Sequence, residues 1–302
     1  MSINLADIIR DIINAISGRG KSPVSPPASP LPPAPVVIEP MDGQPPEITP
    51  APPLPPPPVA NIPTGSGFIK ENINLIGAVR EANILKEFQL QHIPSFMNQL
   101  STVSVTIGPN TILYMVTPDF LCVGNNSDYV RVPMNPHTAQ SIADMYGFSL
   151  ITRKMSNDIW KQAVNKLPPR PWGPPYDQDM ERTHRIGTHS QTIQNQLISS
   201  GMNPFALTSG HKKDVVLTNR LAPNNPNRRV AIYGWHQPNG QPIQGLNPSS
   251  HGDLYADYSH GIRLVNNNVL VNNQPMKIQE VFSHPVYSAL VSDEGPLRFL
   301  RY

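Results

Sequence analysis

The stretch TVSVTIGPNTILYMV, residues 102–116, decides the fold class. Thr102–Ile107 and Thr111–Val116 both read as strands, the first rich in β-branched residues and alternating in polarity. Between them Gly108, Pro109 and Asn110 supply the turn, so the segment predicts an antiparallel hairpin. Helical periodicity precedes it over 72–91, with Ile73, Ile76, Val79, Ala82, Ile84, Leu85 and Phe88 on one face. Pro94 ends that run.

Downstream, Phe120–Val123 is extended, and Asn135 and Thr138 open a helix that Gly147 closes after Tyr146. Thr152 caps a further helix over 154–166, and Glu181–Ser200 is helical again, with His184 and His189 on different faces. A proline-rich loop, LPPRPWGPPY over 167–176, separates these two helices, with Trp172 as its aromatic pin. From Leu207 the period changes to two. Strands are expected over 215–218, 229–234, 241–244, 261–265 and 269–271, with helical character over 277–290 broken by Pro285. Helices and a hairpin, then an antiparallel sheet, then a C-terminal helix make an α+β fold.

About half of the 37 prolines lie between Pro23 and Pro63. That composition favours polyproline II, which at about 3.1 Å per residue reaches on the order of 130 Å. Three parts follow: an amphipathic helix over 1–18, a proline-rich linker over 19–66 and a single globular domain over 67–302. In the first part Leu5, Ile8, Ile9, Ile12, Ile13 and Ile16 form one apolar stripe. So short a helix needs a partner, which makes residues 3–16 a docking element for a particle, a shell or a second copy. The arrangement resembles the N-terminal peptides that load enzymes into bacterial microcompartments and the anchors that hold cargo in phage particles.

A net charge of +2 with 15% charged residues is too weakly basic for a nucleic-acid footprint. The single cysteine, Cys122, excludes an intramolecular disulfide framework and a thiolate-rich metal site. Asp7, Arg10 and Asp11 interrupt the N-terminal apolar run, against a signal peptide, and no segment is apolar for the length of a membrane span. The expected location is the cytoplasm or a particle loaded there.

Three polar clusters punctuate the β-rich half: Ser209–Asp214, Tyr233–His236, and the stretch HGDLYADYSHGIRLV over 251–265. Each sets a histidine beside a strand end, where rigid backbone holds a site and a loop leaves it open. Zinc is the expected metal, on a three-ligand set drawn from the nitrogens of His211, His236 and His260 with the carboxylate of Asp214 or Asp257, leaving a fourth position open for water. In that scheme His211, Asp214, Asp257 and His260 carry the chemistry. Trp235, His251 and Arg263 bind substrate, Arg263 by pairing a carboxylate.

Ser259, His260, Gly261, Ile262, Arg263 and Leu264 resemble the Ser-His-Gly-Cys-Ile-Arg-Leu motif of the L,D-transpeptidases, with His251 and Gly252 similar to an upstream His-Gly. No cysteine stands between Gly261 and Ile262, which excludes thiolate acyl transfer there. Ser209, Gly210 and His211 with Trp235 and His236 resemble the zinc D-alanyl-D-alanine carboxypeptidases and L-alanyl-D-glutamate peptidases, although no glutamate precedes Trp235. Both resemblances imply hydrolysis of cell-wall peptides. The alternative expectation is a non-enzymatic structural or receptor-binding protein of a phage or other particle.

Overall fold

A computed structural model describes residues 63–172 and 180–302. Residues 1–18, expected to form the docking helix, and all but the last residues of the expected proline-rich linker lie outside the described residues, as do residues 173–179.

The hairpin forms as its sequence dictates. β1 (Ser101–Ile107) pairs antiparallel with β2 (Asn110–Val116), in register from Ser101 opposite Val116 to Ile107 opposite Asn110. Gly108 adopts φ +57 at the first turn position and Pro109 follows with its ring-fixed negative φ, the residue order of a type II′ turn. β2 is central: β1 lies on one side, and β12 (Leu264–Asn266) and β13 (Asn268–Val271) share the other. Ile112, Tyr114 and Val116 therefore lie in the main core.

The rest of the sheet extends from this strand. Its order is β10 (Pro242–Asn247), β9 (Ile232–His236), β8 (Lys213–Leu217), β5 (Phe148–Thr152), β12, β2, β13 and β14 (Gln274–Lys277), with β11 (His260–Gly261) added to β8. Most pairs are antiparallel, as expected of an α+β fold. The exceptions place the site: β8 takes both β5 and β11 in parallel, with His260 opposite Lys213 and Gly261 opposite Asp214. Two small ribbons, β3 (Cys122–Gly124) with β4 (Tyr129–Arg131) and β6 (Asn165–Lys166) with β7 (Thr208–Ser209), complete the strands.

Helix caps follow the side chains that favour them. α3 (Pro136–Tyr146) starts where the Asn135 side chain accepts from the backbone N–H groups of His137 and Thr138, and ends at Gly147 with φ +74. The Thr152 hydroxyl accepts from Met155 N–H and opens α4 (Arg153–Gln162), which ends four residues earlier than its periodicity implies because Asn165 and Lys166 pair with β7. The helical run over 72–91 starts at Gly77 as α2 (Gly77–Gln89), since 72–76 turns away from α1 (Gly65–Glu71). The Thr64 hydroxyl caps that first helix by accepting from Gly67 N–H. α5 (Thr183–Ser199) buries His189, and α6 (Ile278–Ser283) is the closing helix.

Gly261 shows how tightly the sheet meets the loop before β3. A Cβ built there stands 2.5 Å from the Phe120 ring. The Arg263 guanidinium covers that ring at 4.5 Å, and the His211 imidazole meets its edge at 4.9 Å. Phe120 has no room to move, so Gly261→Ala is expected to cost about 1–3 kcal/mol, read as a lower denaturant midpoint.

Candidate functional site

The site grows from the loop over 247–259. The Asn247 side chain accepts from the N–H and hydroxyl of Ser249 and the N–H of Ser250, folding the loop start on itself. Val230 N–H donates to His251 O and Asp253 N–H to Arg228 O, which ties the loop to the segment before β9. Asp257 then organises its exit. Its Oδ1 accepts from Ser259 N–H at 2.8 Å and Ser259 Oγ at 2.6 Å, and its Oδ2 from the Tyr255 hydroxyl at 3.0 Å. His260 N–H donates to Asp257 O, and the chain enters β11.

Three side chains meet there. His251, Asp257 and His260 each offer one ligand atom, all within 4.8 Å of one another, and this is the one such His/Cys/Asp/Glu group of three or more among the described residues. His251 stacks on Tyr255 with ring centroids 4.1 Å apart and meets His260 edge-on at 5.9 Å. His260 is 0% exposed, and neither of its ring nitrogens has a hydrogen-bond partner. Burying an imidazole with unpaired nitrogens is costly, about 1–3 kcal/mol for a single unsatisfied group, and a cation held between His260, His251 and Asp257 would engage one of the two.

The electrostatics suit a cation. Burial pushes His260 down to about 4, only partly opposed by Asp257, and burial also lowers His251. Both imidazoles are therefore neutral at pH 7 and hold free lone pairs. Burial alone raises the Asp257 carboxyl, but His260, the Ser259 donors and Lys213 outweigh it and hold the group well below the usual carboxylate range. Two neutral nitrogens and one carboxylate are a donor set that fits zinc and similar divalent ions. A His-Asp-His group that can hold a metal ion is thus built into this chain.

The expected zinc set of His211, His236 and His260 is not gathered. His260 has His251 as its histidine neighbour instead. His211 Nε2 lies 3.0 Å from Asp119 Oδ1, and Asp119 Oδ2 receives two hydrogen bonds from the Arg131 guanidinium, at 2.6 and 3.0 Å. This triad is buried, and burial brings His211 down to about 4. His236 binds Asn157 Oδ1 at 2.8 Å and stacks on Trp160, at the edge of a separate cleft.

Other expected site residues are also redistributed. Asp214 follows Lys213 in β8, and strand alternation sends the two to opposite faces. It accepts from Ser156 Oγ at 2.6 Å, and burial raises its carboxyl to about 6 against the pull of Arg263. Arg263 is buried, and its guanidinium donates to the carbonyls of Thr117 and Thr208 at 2.7 and 2.6 Å. The expectation that it pairs a substrate carboxylate is corrected: the group is spent on backbone. Trp235, expected to bind substrate, has no ring contact with His251 or His260 and reaches toward them only through Lys213, the neighbour of His260 in the sheet. It packs near Tyr258 and His189, with Lys213 over its ring, and its indole N–H is buried without a partner.

Several residues here carry no local signal. Asp119 precedes His211 by 92 positions, and nothing near it in sequence marks it as the partner of a histidine. Lys213 carries no mark in sequence of its place beside His260, which the parallel pairing of β8 with β11 sets. Trp172 packs on the domain: its ring centroid lies 4.0 Å from that of Tyr258 and its backbone N–H donates to the Tyr258 hydroxyl. No described helix is long and apolar enough to cross a membrane. No protein-family model, no curated protein and no solved structure significantly matches the chain.

Proposed function

We propose that the chain is a metal-dependent amide hydrolase that holds zinc on His251, Asp257 and His260 and acts on peptides of the bacterial cell wall. The observation that carries the reading is His260, whose two nitrogens are sealed from water and unpartnered a few ångströms from a second histidine and a carboxylate. A bound zinc ion supplies Lewis acidity, polarising a carbonyl and acidifying water.

The chain's own residues do the rest. Ser259 and Tyr255 fix the Asp257 carboxylate, and Tyr255 also supports the His251 ring, so the donors are oriented before a metal arrives. Glu181 carries a carboxyl raised by burial and by the charge of Asp257, and it accepts from Ala256 N–H. It serves as the proton acceptor for the attacking water and returns that proton to the leaving amine. A new bond forms from water oxygen to the carbonyl carbon, and the C–N bond breaks. The cell-wall assignment is supported by the motif over 259–264 and its likeness to enzymes of those peptides. In the same reading residues 3–16 hold the enzyme on a protein partner.

The deciding experiment digests purified sacculi with the zinc-loaded chain and separates the released peptides. New amine termini are expected from the full chain and from a chain lacking residues 1–18, and none from His260→Ala. Glu181→Gln is expected to slow release by about 100-fold or more while leaving zinc content unchanged. Intact sacculi after digestion by a protein carrying one zinc per chain would refute the reading.

A further inference from the structure

Beside His260 stands a cation that has no ion-pair partner among the described residues. Lys213 is the registered neighbour of His260 across the parallel β8–β11 pair, so both side chains leave the sheet on one face. Its Nζ lies over the Trp235 ring, 4.9 Å from the centroid. Among the described residues it makes no ion pair. Asp257 is close enough for the two charges to act on each other, but the two side chains form no salt bridge. Lys213 is only partly exposed, so water does not fully replace the missing anion.

The platform beneath it is unusual. Trp235 is a bulky residue at φ +58, a backbone conformation that such side chains rarely adopt and that surrounding structure must enforce. The Trp235 N–H donates to Lys212 O and Gly234 precedes it at φ +105, which together hold the turned backbone. The ring presents an apolar face, and its indole N–H is a buried donor with no acceptor. An ammonium, an unused N–H and an aromatic surface beside a metal group are what a short acyl-amino carboxylate needs.

We propose that Lys213 and Trp235 form a carboxylate-binding subsite, so that the bond cleaved at the metal centre is the one next to a free C-terminal carboxylate. This rests on the hydrolase reading and specifies its substrate class: peptides with an open C-terminus, losing one residue per turnover. One ammonium matches the single charge of a carboxylate, whereas a phosphate dianion leaves one charge unmatched in a half-buried setting.

The test uses three small probes on the full chain: N-acetylglycine, N-acetylglycinamide and inorganic phosphate. Binding is followed by calorimetry and by the indole N–H resonance of Trp235, assigned through Trp235→Phe, with and without zinc. N-acetylglycine is expected to move that resonance and to bind at least about tenfold more tightly than the amide. Lys213→Met abolishes the preference and Lys213→Arg retains it, both with wild-type zinc content. Equal affinity for acid and amide, a preference that survives in Lys213→Met, or tighter binding of phosphate than of N-acetylglycine would each overturn the subsite while leaving the hydrolase reading standing. The converse, a Lys213-dependent preference in a chain that takes up no zinc, upholds the carboxylate subsite and defeats the hydrolase.

Discussion

Zinc is expected to raise the melting temperature of the metal-free chain by roughly 5–11 °C at a hundredfold excess over its dissociation constant. Binding to the folded state alone contributes about 2.7 kcal/mol under those conditions, and a domain of this size shifts by about 2–4 °C per kcal/mol. His260→Leu is expected to remove the shift entirely. More telling is its effect without metal. In the bare chain both nitrogens of the wild-type imidazole are buried without a hydrogen bond, so exchanging the ring for an apolar side chain of similar size relieves an unmet polar group. The metal-free variant is therefore expected to match the wild type or exceed it by about 1–3 kcal/mol in denaturant titrations. A structural histidine gives the reverse pattern: a metal-free loss of stability and no zinc-dependent shift in either protein.

The second large effect lies at Asp119. Its carboxylate is the acceptor for the buried Arg131 guanidinium and for His211 Nε2, and Arg131 has no other carboxylate partner among the described residues. Asp119→Ala leaves an uncompensated cation in the interior and is expected to cost about 3–5 kcal/mol. Arg131→Met in the same background is expected to recover much of that loss, because the pair is removed together with its desolvation cost. Denaturant midpoints of the two single variants and the double variant form the cycle that checks this. Additive losses would show that the two residues do not interact.

The same triad sets an acid limit. Burial places His211 near 4 when folded, below the ordinary histidine value of about 6.5, so the unfolded chain binds more protons between those values. Stability from this group is complete above pH 6.5 and falls as pH drops toward 4. His236, also brought to about 4 by burial, acts in the same direction. Arg131 and His211 overcome the burial cost and hold the Asp119 carboxyl far below its unfolded value, so its contribution is lost only under stronger acid. Midpoints measured at pH 7.5, 5.5 and 4.5 should fall steadily, and a flat profile would contradict the assignment of neutral buried imidazoles.

Much of the fold is legible because its signals are local. The 102–116 hairpin, the Asn135 and Thr152 caps and the Gly147 stop depend on side chains within a few residues of the backbone groups they satisfy. Polar density over 251–260 likewise marks a site, and Asp257 with Ser259 is a local hydrogen-bonded turn that its spacing permits. Where local signals mislead, tertiary pairing intervenes: β6 and β7 cut the helix after Gln162 short.

By itself the sequence determined an α+β chain, with His260 in its densest polar stretch, since period and cap chemistry act over one or two turns of backbone. Only the tertiary structure decided which histidine joins it. The sequence offered His211 and His236 as co-ligands and His251 as a substrate contact, whereas the folded chain sets the three beside Asp119, Asn157 and His260 respectively. It also decided that Lys213 stands beside His260, because the parallel pairing of two strands separated by more than forty residues follows from how the sheet closes and leaves no periodic trace in either strand.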